Sequence, residues 1–448
     1  MVDIQEFQQK LFKRGTESGF HDMEIFYSAT KSTSVKVLEQ EIKNYVIAEQ
    51  SGISFRGIYH MKMGYSYTEK MDQQSIDLLV AEAMENAHII ETDDQEELFA
   101  GADRYETLHR YSEAVAHVSP QELIAAAFEM ENAALKAHPL VKQVIQCSVA
   151  KTEGETIIAN TKGLYCHSTY TNLSAGIYLM ASDGKQTATG GEYDFTLKDF
   201  AKINVKEIAE AAAQEAVGKL GADSVATGNY PIVFRYNTAT QLLNSFVSVF
   251  SGEVVEKGFS RLEGKLGEKI ACGTITMIDD PWLEDTPGAA AFDAEGYPTK
   301  KLEIIKKGTL LHFMHNRKTA KKAGTESTGH AAKSGYSGVV SVGPHNVYLQ
   351  PGEASLADLI EKTGNGILIV ELQGTNAGIN TISGDFSLYA IGLLIENGVL
   401  GRPINQITIS GNLYEMLHNI EEVANDLQIK GPVSSPSLKV KSLTVAGK

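Results

Sequence analysis

Six carboxylates fall within the stretch 279–296, DDPWLEDTPGAAAFDAEG: Asp279, Asp280, Glu284, Asp285, Asp293 and Glu295. Acids grouped this closely serve general acid/base chemistry or hold a hard cation, and they equally make a solvated acidic loop. His312 and His315 stand three apart in GTLLHFMHN. On a helix they would share a face, but the run reads as a strand, which argues against a paired metal role. Cys166 and His167 are adjacent on another strand-like run and diverge for the same reason, whereas a thiol nucleophile needs its base converging on it. The glycine-rich segment Thr325–Gly343 contains Ser327 and Thr328 and suits either a close backbone approach to a ligand or a flexible loop. In NTISGDFS, Asp385 and Ser387 flank the turn made by Gly384. They could bind a peptide backbone or satisfy their own turn. The Gly-Lys of SRLEGKLGEK lacks the spacing of a phosphate-binding loop.

The run PIVFRYNTATQLLNSFVSVFSG, Pro231 to Gly252, organises the rest. Its β-rich start, Ile232-Val233-Phe234, turns at Tyr236-Asn237-Thr238. Ala239, Leu242, Leu243, Phe246, Val249 and Phe250 then recur at helical spacing. Asn237 or Thr238 is the expected N-cap. Enzymes often place reactive groups at such a junction, yet this one carries no His, Glu or Cys.

The elements that must position these residues come in a clear order. Residues 1–20 read as an amphipathic helix, followed by short strands (EIFYS, TSVKVLE, IKNYVIAE, GISFRGIY, MGYSYT) and a helix over 73–89. The acidic stretch Glu91–Glu97 reads as a surface linker. A similar series follows: a helix over 119–137 opened by Ser119-Pro120, five strand-like runs, and a helix over 204–219. The resemblance of the two series, without sequence identity, suggests structural duplication. Leu220–Gly228 is small and turn-prone and marks the main boundary. Beyond it the chain is rich in glycine and short strands, with an amphipathic helix over 413–426. The expected class is α+β: β-meanders with helices in the N-terminal region, then a β-rich C-terminal domain for which a barrel is a candidate architecture. The expected domains are 1–111, 112–222 and 223–448.

Composition excludes several functions. The 40 basic and 56 acidic residues leave a net charge of −16, the opposite of a phosphate-binding surface. Lys430, Lys439, Lys441 and Lys448 read as a solvated basic tail. The first fifteen residues lack the apolar core of a signal peptide, and no run of about 18 apolar residues occurs. Three widely spaced cysteines suit a reducing compartment, and a cytoplasmic location is expected.

The run GNYPIVFRYNTATQLLNSFVSVFSGEVVEKGFSRLEGKLGEKIA resembles the TldD/PmbA family, the so-called modulators of DNA gyrase. FDAEGYPT, TESTGHAAKSGYSG and NTISGDFS are similar to further family segments. In that family the TldD-type member carries His-Glu-x-x-x-His on this helix and, with a later Cys, holds zinc for peptide hydrolysis. The PmbA type, also called TldE, lacks those ligands and pairs with TldD. By approximate registration the motif positions are Asn237, Thr238 and Leu242, none of which supplies zinc chemistry. No cysteine follows Cys272. The resemblance therefore implies a PmbA-type chain with no metal of its own, zinc being held by a TldD-type partner. Asp293, Glu295, Ser327, Thr328, Gly384, Asp385 and Ser387 are its implied substrate-binding residues. The implied substrates are unfolded peptides, cleaved to remove leader segments or to degrade small unstructured proteins. Two other readings stand beside it: a self-sufficient homodimeric metallopeptidase with unrecognised ligands, and a non-catalytic peptide-binding regulator.

Overall fold

The computed structural model describes residues 3–90 and 96–448. The short runs of the N-terminal half fuse into long strands: β1 (Met23–Leu38), β2 (Glu41–Tyr59) and β3 (Lys62–Thr68), then β4 (Val141–Asn160), β5 (Tyr165–Ser182) and β6 (Thr187–Thr196). They form one antiparallel six-stranded sheet in the order β3-β2-β1-β4-β5-β6. Gly52, Gly57 and Gly64, which punctuate those short runs, fall inside β2 and β3.

The two halves of the sheet are built alike. Each is a helix, a three-strand meander and a second helix: Ile4–Glu17 and Gln73–Ile89 in the first, Pro120–Ala137 and Val205–Gly218 in the second. In both, the last strand meets its following helix at a glycine. A Cβ on Gly64 would lie 2.0 Å from the Ala83 carbonyl, and one on Gly190 would lie 2.2 Å from that of Ala212. Only glycine allows these alanine-rich helices so close to the sheet. Ser119 and Glu122 form a complete capping box at the start of the third helix.

Two-residue turns set the hairpin registers. Glu39-Gln40 and His60-Met61 all have positive φ, the twist-compatible geometry usually given to Asn-Gly. Asn397-Gly398 is such a pair, joining two strands of the next domain. At the first turn, the buried Glu131 carboxylate accepts from the Glu39 and Gln40 amides at 2.7 and 2.9 Å, clamping the hairpin tip to the helix Pro120–Ala137.

The C-terminal half starts with β7 (Gly228–Phe234). The short strands β8 (Met277–Asp279), β9 (Leu302–Lys306) and β10 (Thr309–Leu310), the pair β11 (Ala331–Ala332) and β12 (Ser341–Val342), and β13 (Val347–Leu349) follow. After them come β14 (Gly366–Gln373), β15 (Asp385–Glu396), β16 (Val399–Asn412), β17 (Ile420–Val423), β18 (Val433–Ser434) and β19 (Leu438–Ala446). β16-β15-β14-β7-β19 are successive neighbours, and β19 also pairs with β16, so five strands close into a barrel. β17 extends it, and β10-β9-β8-β13-β18 make a smaller sheet beside it. The helix Tyr236–Phe246 buries Leu242, Leu243 and Phe246 in the same core as Ile232 and Phe234 of β7.

Three local expectations need correction. The helix after Asn412 ends at Asn419, and its continuation is β17. The basic residues near the C-terminus are no tail: Lys439 lies in β19 and pairs with Glu421, Lys430 pairs with Glu192, and Lys448 with Asp223. Of the acidic linker, residues 91–95 lie outside the described residues, while Glu96 and Glu97 pair with Lys318 and Lys321. No helix among the described residues is long and apolar enough to cross a membrane.

Candidate functional site

The helix Tyr236–Phe246 starts two or three residues earlier than an N-cap at Asn237 or Thr238 would place it. Arg235 is the N-cap and makes no side-chain cap bond. This small change rotates the reading of the whole junction. Thr238 and Leu242 are buried, 1% and 2% exposed. The Thr238 hydroxyl lies 2.9 Å from the Arg235 carbonyl and 3.1 Å from that of Ile369. Leu242 is core. Tyr236, Asn237, Thr240, Gln241 and Asn244 instead line a cavity of about 470 Å³. The same one-then-five spacing, read from Tyr236, gives Tyr236, Asn237 and Gln241, and all three face that cavity.

Its other walls come from distant parts of the chain: Gly191–Tyr193 of β6, Glu215 of the helix Val205–Gly218, and the segment 428–434. Glu192, Glu215, Arg235 and Tyr236 also line an adjoining cavity of about 360 Å³, which makes the whole an elongated cleft. Its charges are matched internally. Arg235 meets Glu215 at 3.1 Å, Lys219 bridges Glu215 and Glu371 at 3.0 and 2.6 Å, and Lys430 meets Glu192 at 2.7 Å. Burial raises the Tyr236 phenol above its ordinary range, leaving a neutral O–H at neutral pH. The Ser434 hydroxyl lies buried in the wall without a hydrogen-bond partner. Such a cleft offers neutral donors and acceptors beside the outer edge of a terminal strand, and that suits a main chain better than a charged group.

The donors do not suit zinc, which takes thiolate, imidazole and carboxylate. A tyrosine, a threonine and three carboxamides line the cleft from the helix, and Cys272 bonds Thr274 away from it. Among the described residues no three His, Cys, Asp or Glu side chains gather as a ligand set.

The acidic loop is not a solvated one. Asp279, Asp280, Asp293 and Glu295 are buried, while Glu284 and Asp285 pair with Lys198 and Lys202. Asp293 accepts from the amides of Glu295, Tyr297 and Ala331 at 2.8 to 3.0 Å. Burial, then the charge of Glu295, raises its pKa against that pull. Glu295 accepts from the Arg317 amide at 2.9 Å and lies 3.7 Å from Arg56, whose guanidinium also pairs with Glu24. Ser327 and Thr328 close the same cluster. Both hydroxyls reach the His315 carbonyl, and Thr328 Oγ1 lies 2.8 Å from His330 Nδ1.

An Asp–His contact lies at the cluster's centre, joining Asp279 of the acidic stretch to a histidine of the glycine-rich segment. His330 Nε2 lies 3.1 Å from Asp279, which also accepts the His345 and Asn346 amides. Every polar atom in this Asp–His contact is enclosed, and its effect is to pin the segment 327–346 onto β8. The strand expected through His312 and His315 ends at Leu310; His312 is exposed and His315 buried, and Cys166 is buried while His167 pairs outward with Glu155.

Of the expected substrate residues, Asp293, Glu295, Ser327 and Thr328 are thus brought together, with Glu295 and Ser327 on the wall of a cavity of about 700 Å³. Gly384, Asp385 and Ser387 are elsewhere. Asp385 accepts from Ser383 and Asn412 at 2.7 and 2.8 Å, beside an open groove of about 600 Å³. Neither place shares a lining residue with the cleft.

Three family models match the chain in succession: PmbA/TldA metallopeptidase domain 1 over residues 23–87, its central domain over 113–220 and its C-terminal domain over 227–447. The chain belongs to the PmbA/TldD family. The metalloprotease PmbA of Escherichia coli O157:H7 is 26% identical over 435 residues, 95% of this chain and 92% of that protein. A metalloprotease of Methanothermobacter thermautotrophicus is 30% identical over 294 residues, 63% of this chain and 62% of that one. A Thermotoga maritima structure described as a DNA gyrase modulator superposes with a TM-score of 0.91 at 29% identity, covering 99% of this chain and 100% of that one. TldE from Thermococcus kodakarensis shares the fold, with a TM-score of 0.89 at 24% identity over 98% of this chain and 100% of its own. In this PmbA/TldD chain, the helix at the strand-to-helix junction turns a phenol, a hydroxyl and three carboxamides towards the cavity.

Proposed function

We propose that this chain is the PmbA/TldE-type subunit of a PmbA/TldD-family peptidase, carrying no zinc and helping to enclose an extended, unfolded peptide. One observation carries the reading: the helix at the strand-to-helix junction lines the cleft with Tyr236, Asn237, Thr240, Gln241 and Asn244, none of which can supply zinc chemistry. A cleft without surplus charge, bordered by the β6 edge, supports sequence-tolerant capture of a main chain. Zinc and hydrolysis belong to a TldD-type partner. The work is cytoplasmic peptide maturation or the degradation of unstructured chains. The relatives named as metalloproteases make the family's chemistry proteolysis, and this subunit shapes access to it.

The test combines metal analysis with reconstitution. Purified without chelator, the chain should hold far less than one zinc per molecule and cleave no unfolded peptide alone. Cleavage should appear when a zinc-bearing TldD-type relative is added. Zinc at one per chain with chelator-sensitive cleavage by the isolated protein would overturn the proposal. Gln241→Ala should raise the KM of the reconstituted enzyme several-fold and leave the zinc content of the mixture unchanged.

A further inference from the structure

β5 begins with an open edge. β6 pairs with it only from Leu173 onwards, where Leu173 stands opposite Thr196. Before that point the edge faces the segment 105–111. Among the described residues one main-chain bond crosses the gap, from the Thr171 amide to the Arg110 carbonyl at 3.0 Å. In an antiparallel pair successive residues turn their amides alternately towards the partner strand and away from it. β4 and β5 keep one register from Tyr165 to Thr171, so the amides of His167 and Thr169 point as that of Thr171 does, away from β4. The stretches 105–111 and 165–169 line a cavity of about 550 Å³, with Ala291 and Phe292 as an apolar wall.

Arg110 lines the same cavity. Its guanidinium is fixed on two sides. Nη2 donates to the Pro287 carbonyl at 3.1 Å, and Cζ lies 5.2 Å from the centre of the Tyr170 ring, which itself rests against Gly154. Neither contact neutralises the charge. Among the described residues no carboxylate lies within ion-pairing distance of it, and Nε is buried without a hydrogen-bond partner. Arg56 and Arg235, also part-buried, each meet a glutamate. Burial lowers the pKa of Arg110, so its charge is held at a cost. An enclosed cation is normally paired, and the planar fork of a guanidinium matches a carboxylate best. The surroundings limit the charge of the partner. His167 meets Glu155 at 2.8 Å, the Tyr111 phenol lies 3.4 Å from Glu153, and Glu106 lines the wall. With one guanidinium and three carboxylates close by, a single negative charge fits and a double one is repelled.

We propose that this cavity is a binding site for a monoanionic carboxylate, held by the Arg110 guanidinium beside the outward amides of β5. The proposal is independent of the cleft, with which the cavity shares no lining residue, and of which chain holds the metal. Two sources present such a group: a small free acid, and the C-terminus of an extended chain laid along the β5 edge.

Calorimetric titration of the full chain with acetate, with N-acetyl-Ala-Ala-Leu and with the C-terminal amide of that peptide tests this. Acetate, the peptide acid or both should bind. Arg110→Met should weaken that binding at least tenfold, with an unchanged circular dichroism spectrum. Arg104→Met, at an exposed arginine outside the cavity, should leave it as it is. A peptide acid tighter than acetate, and at least tenfold tighter than its amide, assigns the site to chain ends. Acetate as tight as the peptide acid, or tighter, assigns it to small acids. Neither acid binding, binding indifferent to Arg110→Met, or inorganic phosphate preferred to acetate would each overturn the proposal. So would a peptide acid no tighter than its amide when acetate does not bind. The comparison of acid with amide is made on the wild type, so a folding defect in the variant cannot imitate its result.

Discussion

Lys333 sits where an ammonium ion is poorly solvated, its Nζ 4.4 Å from the centre of the Phe26 ring and 5.2 Å from that of Tyr65. Burial, and then the nearby Arg56, bring its pKa down to about 7 from 10.5. Between those values the unfolded chain binds a proton that the folded chain does not, so this residue makes stability rise with pH across the window and costs most below it. Lys333→Met should therefore stabilise the protein at pH 6 by about 1–2 kcal/mol and by much less at pH 10. Urea unfolding at the two pH values measures the difference, and equal gains at both would refute it. Residue-scale legibility was uneven for the same physical reason. The periodicity of 231–252 revealed the helix and its apolar face, but a pattern repeating every 3.6 residues left the first turn two or three residues late. Leu242 lies in the core as the periodicity requires, while Tyr236 and Gln241 line the cleft. Asp279, His330 and His345 lie far apart in the chain, and nothing local in any of them announces the others.

Elements were more legible where their signals are local. Ser119-Pro120 and Glu122 mark a helix start that the structure reproduces down to the capping box. Ser119→Ala should lower stability by about 1 kcal/mol, as loss of such a cap usually does. The long strands were less legible, because glycines that punctuate a sequence need not interrupt a strand. Gly64 and Gly190 are there to admit a helix, not to end β3 or β6. Gly64→Ala and Gly190→Ala should each destabilise by roughly 2 kcal/mol or more, since the new Cβ would meet main-chain atoms that cannot move aside independently. Thermal melts of both, beside Gly273→Ala, where nothing lies within 4 Å and the backbone is not left-handed, separate crowding from a general effect of the substitution. The helix over 413–426 failed as an expectation because an amphipathic pattern can be filled by a helix to Asn419 and a barrel-side strand after it.

At the scale of the whole molecule, buried imidazoles set the acid limit. Burial lowers the pKa of His315 and His345, each with a smaller push from His330. The unfolded histidines take up protons near pH 6.5 while the folded ones resist, so stability should fall as pH drops below about 6.5. Asp279, held low by His330 against its burial, adds a further loss below its ordinary range near 3.8. A denaturant midpoint that stays flat from pH 7 to 5 would contradict this. Barrel closure has a consequence in time. β7 takes its two neighbours from β14 and β19, Ile232 meeting Ile367 on one side and Val440 on the other. During synthesis β7 must therefore wait with both edges bare until β14 emerges and with one bare until β19 does, while the N-terminal sheet can already be complete. The long interval places this chain among those most exposed to premature strand exchange, and most dependent on whatever shields a nascent polypeptide.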